Sequence, residues 1–102
     1  MSVSINDSTL VLDANLIPLG YQQMTSITVS TALPSIPVGA KRALIQAETQ
    51  NVRWRDDGTP PTGSVGIIAY SGQNPFLYEG SLSAFRAIQA TAGAILNVTY
   101  YE

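Results

Sequence analysis

The chain contains neither cysteine nor histidine. Without cysteine there is no disulfide, no thiolate nucleophile and no Cys-ligated zinc. Without histidine, the commonest general base near neutral pH and the commonest metal ligand are missing too. Charge is equally sparse: 12% of the 102 residues are charged against 45% hydrophobic, and the net charge is −2. That is about half the charged share of an ordinary globular domain, so Ser, Thr, Asn and Gln must cover much of the surface. The basic residues Lys41, Arg42, Arg53, Arg55 and Arg86 are too few and too scattered to follow a phosphate backbone, and no nucleic acid is expected as partner. No membrane is expected either, because no apolar run approaches the ~20 residues of a spanning helix. Met1 to Asp7 lacks the basic and apolar regions of a secretory signal. With so little net charge, copies repel one another weakly, which permits self-association or burial in a larger assembly.

What is present is short-period alternation broken by turns. From Gln22 to Thr31, Ile27 and Val29 alternate with Ser26, Thr28 and Ser30, which predicts a strand with one wet face. Leu33 to Gly39 carries two prolines and reads as a connection. Ala43, Ile45 and Ala47 alternate with Gln46 and Glu48, and Val52 and Trp54 with Arg53 and Arg55. The phase slips near Thr49 to Asn51, so these are two strands or one long strand with a bulge. Asp56 to Thr62, with an Asp-Gly step and a double proline, is the clearest loop. Ser64 to Tyr70 and Pro75 to Glu79 follow as short strands. Leu82, Phe85 and Ile88 also fit a helical spacing, but a strand over Leu82 to Ala90 supplies a hairpin partner for Ala94 to Tyr101 across Thr91-Ala-Gly93. On that strand Leu96, Val98 and Tyr100 share one face. The expectation is an all-β, single-domain antiparallel β-sandwich, with the jelly roll as one form of it. Residues 22–102 form the domain, and residues 1–21 an N-terminal arm or edge strands, with Ser2 to Ile5 and Thr9 to Leu12 as the candidates.

The one dense cluster of functional-looking side chains is Arg53-Trp54-Arg55-Asp56-Asp57-Gly58. Two carboxylates could serve acid/base chemistry or, with loop carbonyls, hold calcium. Adjacent Asp56 and Asp57 would point to opposite faces of an extended chain, however, and an Arg-Asp pairing, an inward Trp54 and a turn at Asp57-Gly58 account for every residue. No catalytic, cofactor or metal residue is therefore assigned, and no enzyme is expected. Tyr70, Tyr78, Tyr100 and Tyr101 with Trp54 could instead offer an aromatic platform for a sugar ring. Because Tyr100 and Tyr101 are neighbours, one must face outward. Arg53, Trp54, Arg55, Tyr78 and Tyr101 are accordingly the candidate interface or ligand contacts. Asn6-Asp-Ser8 and Asn97-Val-Thr99 match the glycosylation triplet by chance, with Asn97 in mid-strand. Gly63, Gly66 and Gly72 lack the strand-to-helix setting of a phosphate loop.

Val52-Arg-Trp-Arg-Asp-Asp-Gly-Thr-Pro-Pro-Thr62, followed by Val65-Gly66 and by the ending Leu82 to Tyr101, resembles small accessory proteins of tailed-bacteriophage virions, encoded among virion structural genes. The likeness runs from Ala43 onward and leaves the first forty residues unmatched. It implies a non-enzymatic virion structural protein, of which capsid decoration or cement proteins that bridge capsomers are the nearest type. The implied partners are the major capsid protein or other virion proteins. The implied location is the capsid surface, after synthesis in the host cytoplasm. A homo-oligomer is implied, with a trimer favoured by analogy with capsid three-fold positions. No catalytic motif travels with the pattern. The alternative is a glycan-binding module, or a tail or baseplate component, that attaches to the host surface.

Overall fold

The computed structural model describes residues 16–102. The described chain holds eight strands: β1 (Pro18–Met24), β2 (Thr31–Ala32), β3 (Arg42–Glu48), β4 (Val52–Arg55), β5 (Ile67–Ala69), β6 (Phe76–Tyr78), β7 (Arg86–Gln89) and β8 (Ile95–Tyr101). A single 3-10 turn, Leu82–Ala84, precedes β7. The strands form two four-stranded antiparallel sheets, ordered β1-β8-β3-β6 and β2-β7-β4-β5. This is the expected β-sandwich.

The strand order defines the sandwich more closely. β1 pairs β8, β2 pairs β7, β3 pairs β6 and β4 pairs β5, so the chain is one long ribbon doubled back on itself between β4 and β5. The ribbon then rolls up, adding the pairs β3·β8 and β4·β7. That is the jelly-roll wrap. Six of the seven links between consecutive strands cross from one sheet to the other, and only the β4–β5 link joins neighbours within a sheet.

The inner face of the first sheet follows from alternation. Ala43, Ile45 and Ala47 of β3 and Leu96, Val98 and Tyr100 of β8 are all buried. The register sets Ala43 opposite Tyr100 and Ala47 opposite Leu96, so small residues make room for large ones across the ladder. Val52, Ala69, Ala87 and, from the 3-10 turn and the residue after it, Leu82 and Phe85 close the core from the other sheet.

Several sequence expectations are corrected. Gln22 to Thr31 is not one strand: β1 already starts at Pro18 and ends at Met24, and Ser26 turns the chain at φ +53°. Ile27 is buried while Val29 is exposed, because the two lie on an irregular crossing rather than on one pleated face. Pro18 to Tyr21, from the segment read as an arm or edge strands, form part of an edge strand that runs on to Met24. The other arm candidates lie outside the described residues. Of the two forms expected for Arg42 to Arg55, two strands is the one found; they lie in different sheets, with the chain turning at Thr49 (φ +68°). Strand β5 covers only Ile67–Ala69, since a bridge between Thr62 and Val65 and the left-handed Gly66 (φ +142°) occupy the start of the expected strand. Leu82 to Ala90 is a 3-10 turn followed by β7, not one strand.

The expected hairpin across Thr91-Ala-Gly93 does not form either, because β7 and β8 belong to opposite sheets. The crossings from β3 to β4 and from β7 to β8 run side by side instead. The Ala90 N–H donates to Asn51 O at 2.9 Å, and the Thr49 hydroxyl sits against the carbonyls of Glu48 and Gly93. In the proline-bearing connection from Leu33 to Gly39, Leu33 is buried and Ile36 packs on the core while Val38 is exposed, as is Ile17 just before Pro18.

Candidate functional site

Alternation along β4 turns Trp54 toward the core and Arg53 and Arg55 to the outer face of its sheet. Trp54 stacks on Phe85 with centroids 5.1 Å apart and on Phe76 at 6.0 Å, and meets Tyr78 edge-on at 5.5 Å. Tyr78 in turn meets Phe85 edge-on at 5.1 Å. Four aromatic rings from β4, β6 and the end of the 3-10 turn thus join the two sheets. Offset and edge-on contacts of this kind add to the area they bury. Of these candidate contacts Tyr78 is buried and Trp54 is half-buried with its ring packed against the core, so with the buried Tyr100 they do not form an outward sugar platform.

The two aspartates diverge, as expected for adjacent residues. Asp56 turns inward, where the Tyr78 hydroxyl donates to Asp56 Oδ2 at 2.6 Å and lies 3.1 Å from Ser81 O. Burial, reinforced by the hydrogen bond and charge of Asp56, pushes the Tyr78 hydroxyl well above its ordinary pKa. Asp57 faces water and takes a two-point ion pair from Arg55, with Nε to Oδ1 at 3.0 Å and Nη2 to Oδ2 at 2.6 Å. The hydrogen bond to Arg55 holds the Asp57 carboxyl below, and the Arg55 guanidinium above, their usual ranges. The pair also offsets a cross-strand repulsion, because Arg55 lies directly opposite Arg86.

Arg53 has a different task. Its Nε donates to Gly63 O at 3.2 Å and its Nη1 to Gly66 O at 2.8 Å, so one guanidinium holds the 61–66 loop against β4. Gly66 has to be glycine: beyond its positive φ, a Cβ there would meet Pro61 Cβ at 3.1 Å and Trp54 O at 3.2 Å. Between this loop and the β4 end lies an open depression of about 320 Å³, lined by Arg55, Asp56, Asp57, Val65, Gly66 and Ile67. With Asp56 held by Tyr78 and Asp57 by Arg55, the cluster is occupied in holding the loop and the sheets. Among the described residues no group of three or more acidic side chains is placed to hold a metal ion.

Of the candidate contacts, Tyr101 is the aromatic that faces outward. It shares the outer face of the first sheet with Tyr21, Gln23, Asn97, Gln46 and Glu48. Asn97 anchors that face: its Oδ1 accepts from the Tyr21 hydroxyl at 2.7 Å and from Gln23 Nε2 at 3.1 Å, and its Nδ2 donates to Glu48 Oε1 at 2.9 Å. The remaining candidate aromatic, Tyr70, is exposed beyond β5 in the other sheet, so it does not join this row. Sequence reasoning missed Tyr21, because starting the strand at Gln22 put it in the arm. It missed the Asp56–Tyr78 pair, which spans 22 positions with no local signal. Comparison of the chain with protein-family models, with curated proteins and with solved structures gives no match.

Proposed function

We propose that the protein is a non-enzymatic structural component of a phage virion, of the decoration or cement type, which sits on the capsid surface and bridges capsomers. The observation that carries this reading is the residue pattern of Val52 to Thr62 together with Leu82 to Tyr101. These stretches are β4 with its loop and β7 with β8, and β4 lies beside β7 in one sheet. The pattern's distinctive residues are spent on the fold itself: Trp54 packed against the core, Arg53 on the loop, Asp56 under Tyr78. A pattern of that kind marks a scaffold whose use lies in its surfaces. The jelly roll is shared by viral capsid and lectin domains, an analogy that is compatible with the reading and does not single it out. The sparse charge suits burial against capsid subunits, because few ions lose their water. Virions with and without the protein should differ in resistance to heating, and cryo-electron microscopy should place it on heads. Equal resistance, with the protein found only in tails, would replace this reading with the tail or baseplate one.

A second reading, glycan binding, draws support from the row of Tyr21, Gln23, Asn97 and Tyr101, which offers aromatic faces beside oriented amides. Single sites of this kind bind weakly and act through multivalency. An array of bacterial polysaccharides probed with the multivalently displayed protein tests it, and silence across the array removes it.

A further inference from the structure

A sandwich has four sheet edges, and here they are unequal. Edges β2, β5 and β6 are two, three and three residues long. Edge β1 spans seven residues, Pro18–Met24. Its inner side pairs with β8, and among the described residues no backbone hydrogen bond reaches it from elsewhere except at Ile17, just before it, which also bonds the β8 end. The usual protections of an edge are charge, proline, a bulge or brevity. β1 has a proline and a register irregularity, both confined to Pro18–Gly20. Gly20 to Met24, Gly-Tyr-Gln-Gln-Met, has none of the four. Exposed apolar groups flank the same edge. Ile17 is 51% exposed, Tyr21 61% and Val38 100%, and Val38 follows Pro37, whose ring lies beside Gly20.

We infer that β1 is an interaction edge whose partner is β1 of a second copy, joined antiparallel across a two-fold axis. Two identical strands run antiparallel about such an axis present matching donors and acceptors without further design. Identical strands also repeat every charge they carry, and like charges facing each other across a ladder are unfavourable. A charge-free strand avoids that cost, and β1 is charge-free. A two-fold axis at Gln22 pairs Gly20 to Met24 in full, sets Tyr21 opposite Gln23 of the second copy, and keeps both residues on the outer face. The two β1-bearing sheets then form one continuous eight-stranded sheet, and Ile17, Tyr21 and Val38 flank the seam. The inference does not depend on the virion reading. It concerns a two-fold contact, whereas the trimer expected from the resemblance needs a three-fold one.

Sedimentation and light scattering over a concentration series, with the full chain, test the contact. Wild type should be a dimer at high concentration. Y21K/Q23K and Y21E/Q23E, each alone, should weaken dimerisation at least about tenfold by placing like charges across the seam, while mixing the two should restore it as a heterodimer. Circular dichroism checks that each variant is folded, and restoration on mixing separates loss of the contact from loss of structure. The inference is overturned if wild type stays monomeric up to ~1 mM. Self-association, two-fold or trimeric, that neither variant changes also overturns it. So do slowly exchanging β1 edge amides in a monomer, which would give the edge to the chain's own residues 1–15.

Discussion

The two sheets of this jelly roll are built on different principles. The β1-β8-β3-β6 sheet has three strands of seven residues, long backbone ladders and an inner face of alternating aliphatic and small residues. The β2-β7-β4-β5 sheet has strands of two to four residues, too short for ladders alone to hold them. Side chains do that work instead: Arg53 ties the loop, Tyr78 binds Asp56 across the sheets, and Trp54 and Phe85 stack at the centre. Regular structure is thus carried by the backbone where strands are long, and by specific side chains where they are short. Substitutions should therefore act on the two sheets differently.

The largest effect should come from the aromatic junction. Phe85→Ala removes a ring that touches both Trp54 and Tyr78 and should cost about 3–5 kcal/mol in urea unfolding. In the other sheet Leu96→Ala should cost ~2–4 kcal/mol. If Leu96→Ala proved clearly the worse, the short-stranded sheet would not depend on its aromatics as described.

Gly66→Ala comes next, at ~2–3 kcal/mol, from a positive φ and a crowded Cβ together. A near-neutral result would mean that the 61–66 loop is not held to β4.

Tyr78→Phe should cost about 1–2 kcal/mol, because Asp56 loses its donor while the ring is kept. It should also change the response to alkali. The Tyr78 pKa is raised on folding, so its stabilising contribution is complete below the ordinary tyrosine pKa of about 10 and is lost as pH rises above it. Tyr100, buried beside Gln22, is pushed up to about 12 by burial and acts in the same direction from the long-stranded sheet. Wild type should lose stability above pH ~10, and Tyr78→Phe should flatten that loss. An unchanged alkaline slope would count against the buried hydroxyl.

The smallest effect belongs to Asp57→Asn. The Arg55–Asp57 pair lies in water, so the change in unfolding midpoint should be close to the limit of measurement. Because the Asp57 pKa is lowered by Arg55, the contribution exists above the ordinary carboxyl range and fades as pH falls through it. A loss as large as that of Tyr78→Phe would show the outer aspartate to be as structural as the inner one.

The same contrast governs how much was legible in the sequence. Ala43/Ile45/Ala47 and Leu96/Val98/Tyr100 announce their inward faces because period-2 alternation is a local property of a long strand. The loop at Asp56 to Thr62 is equally local, written in its Asp-Gly and Pro-Pro steps. Among the candidate contacts, the outward Tyr101 follows from alternation with Tyr100. The burial of Tyr78 does not, since β6 has three residues and its aromatic partners come from β4 and the residue after the 3-10 turn. Tyr21 was hidden for a related reason: β1 owes its start at Pro18 to pairing with Tyr101, not to any alternation of its own.

The sequence by itself determined that this is an all-β sandwich, where the long strands β3 and β8 lie and which of their faces turn inward, because these depend on neighbours one or two residues away. Only the tertiary structure decided which sheet each strand joins. The hairpin expected between Leu82 to Ala90 and Ala94 to Tyr101 is the instructive failure, since Gly93 and Thr49 bend two crossings that are tied together by Ala90 and Asn51. A turn signal reports that the chain reverses. It does not report whether the returning strand finds its hydrogen bonds beside the strand it left or in the sheet opposite, and that choice rests on partners far apart along the ribbon, such as Pro18 and Tyr101.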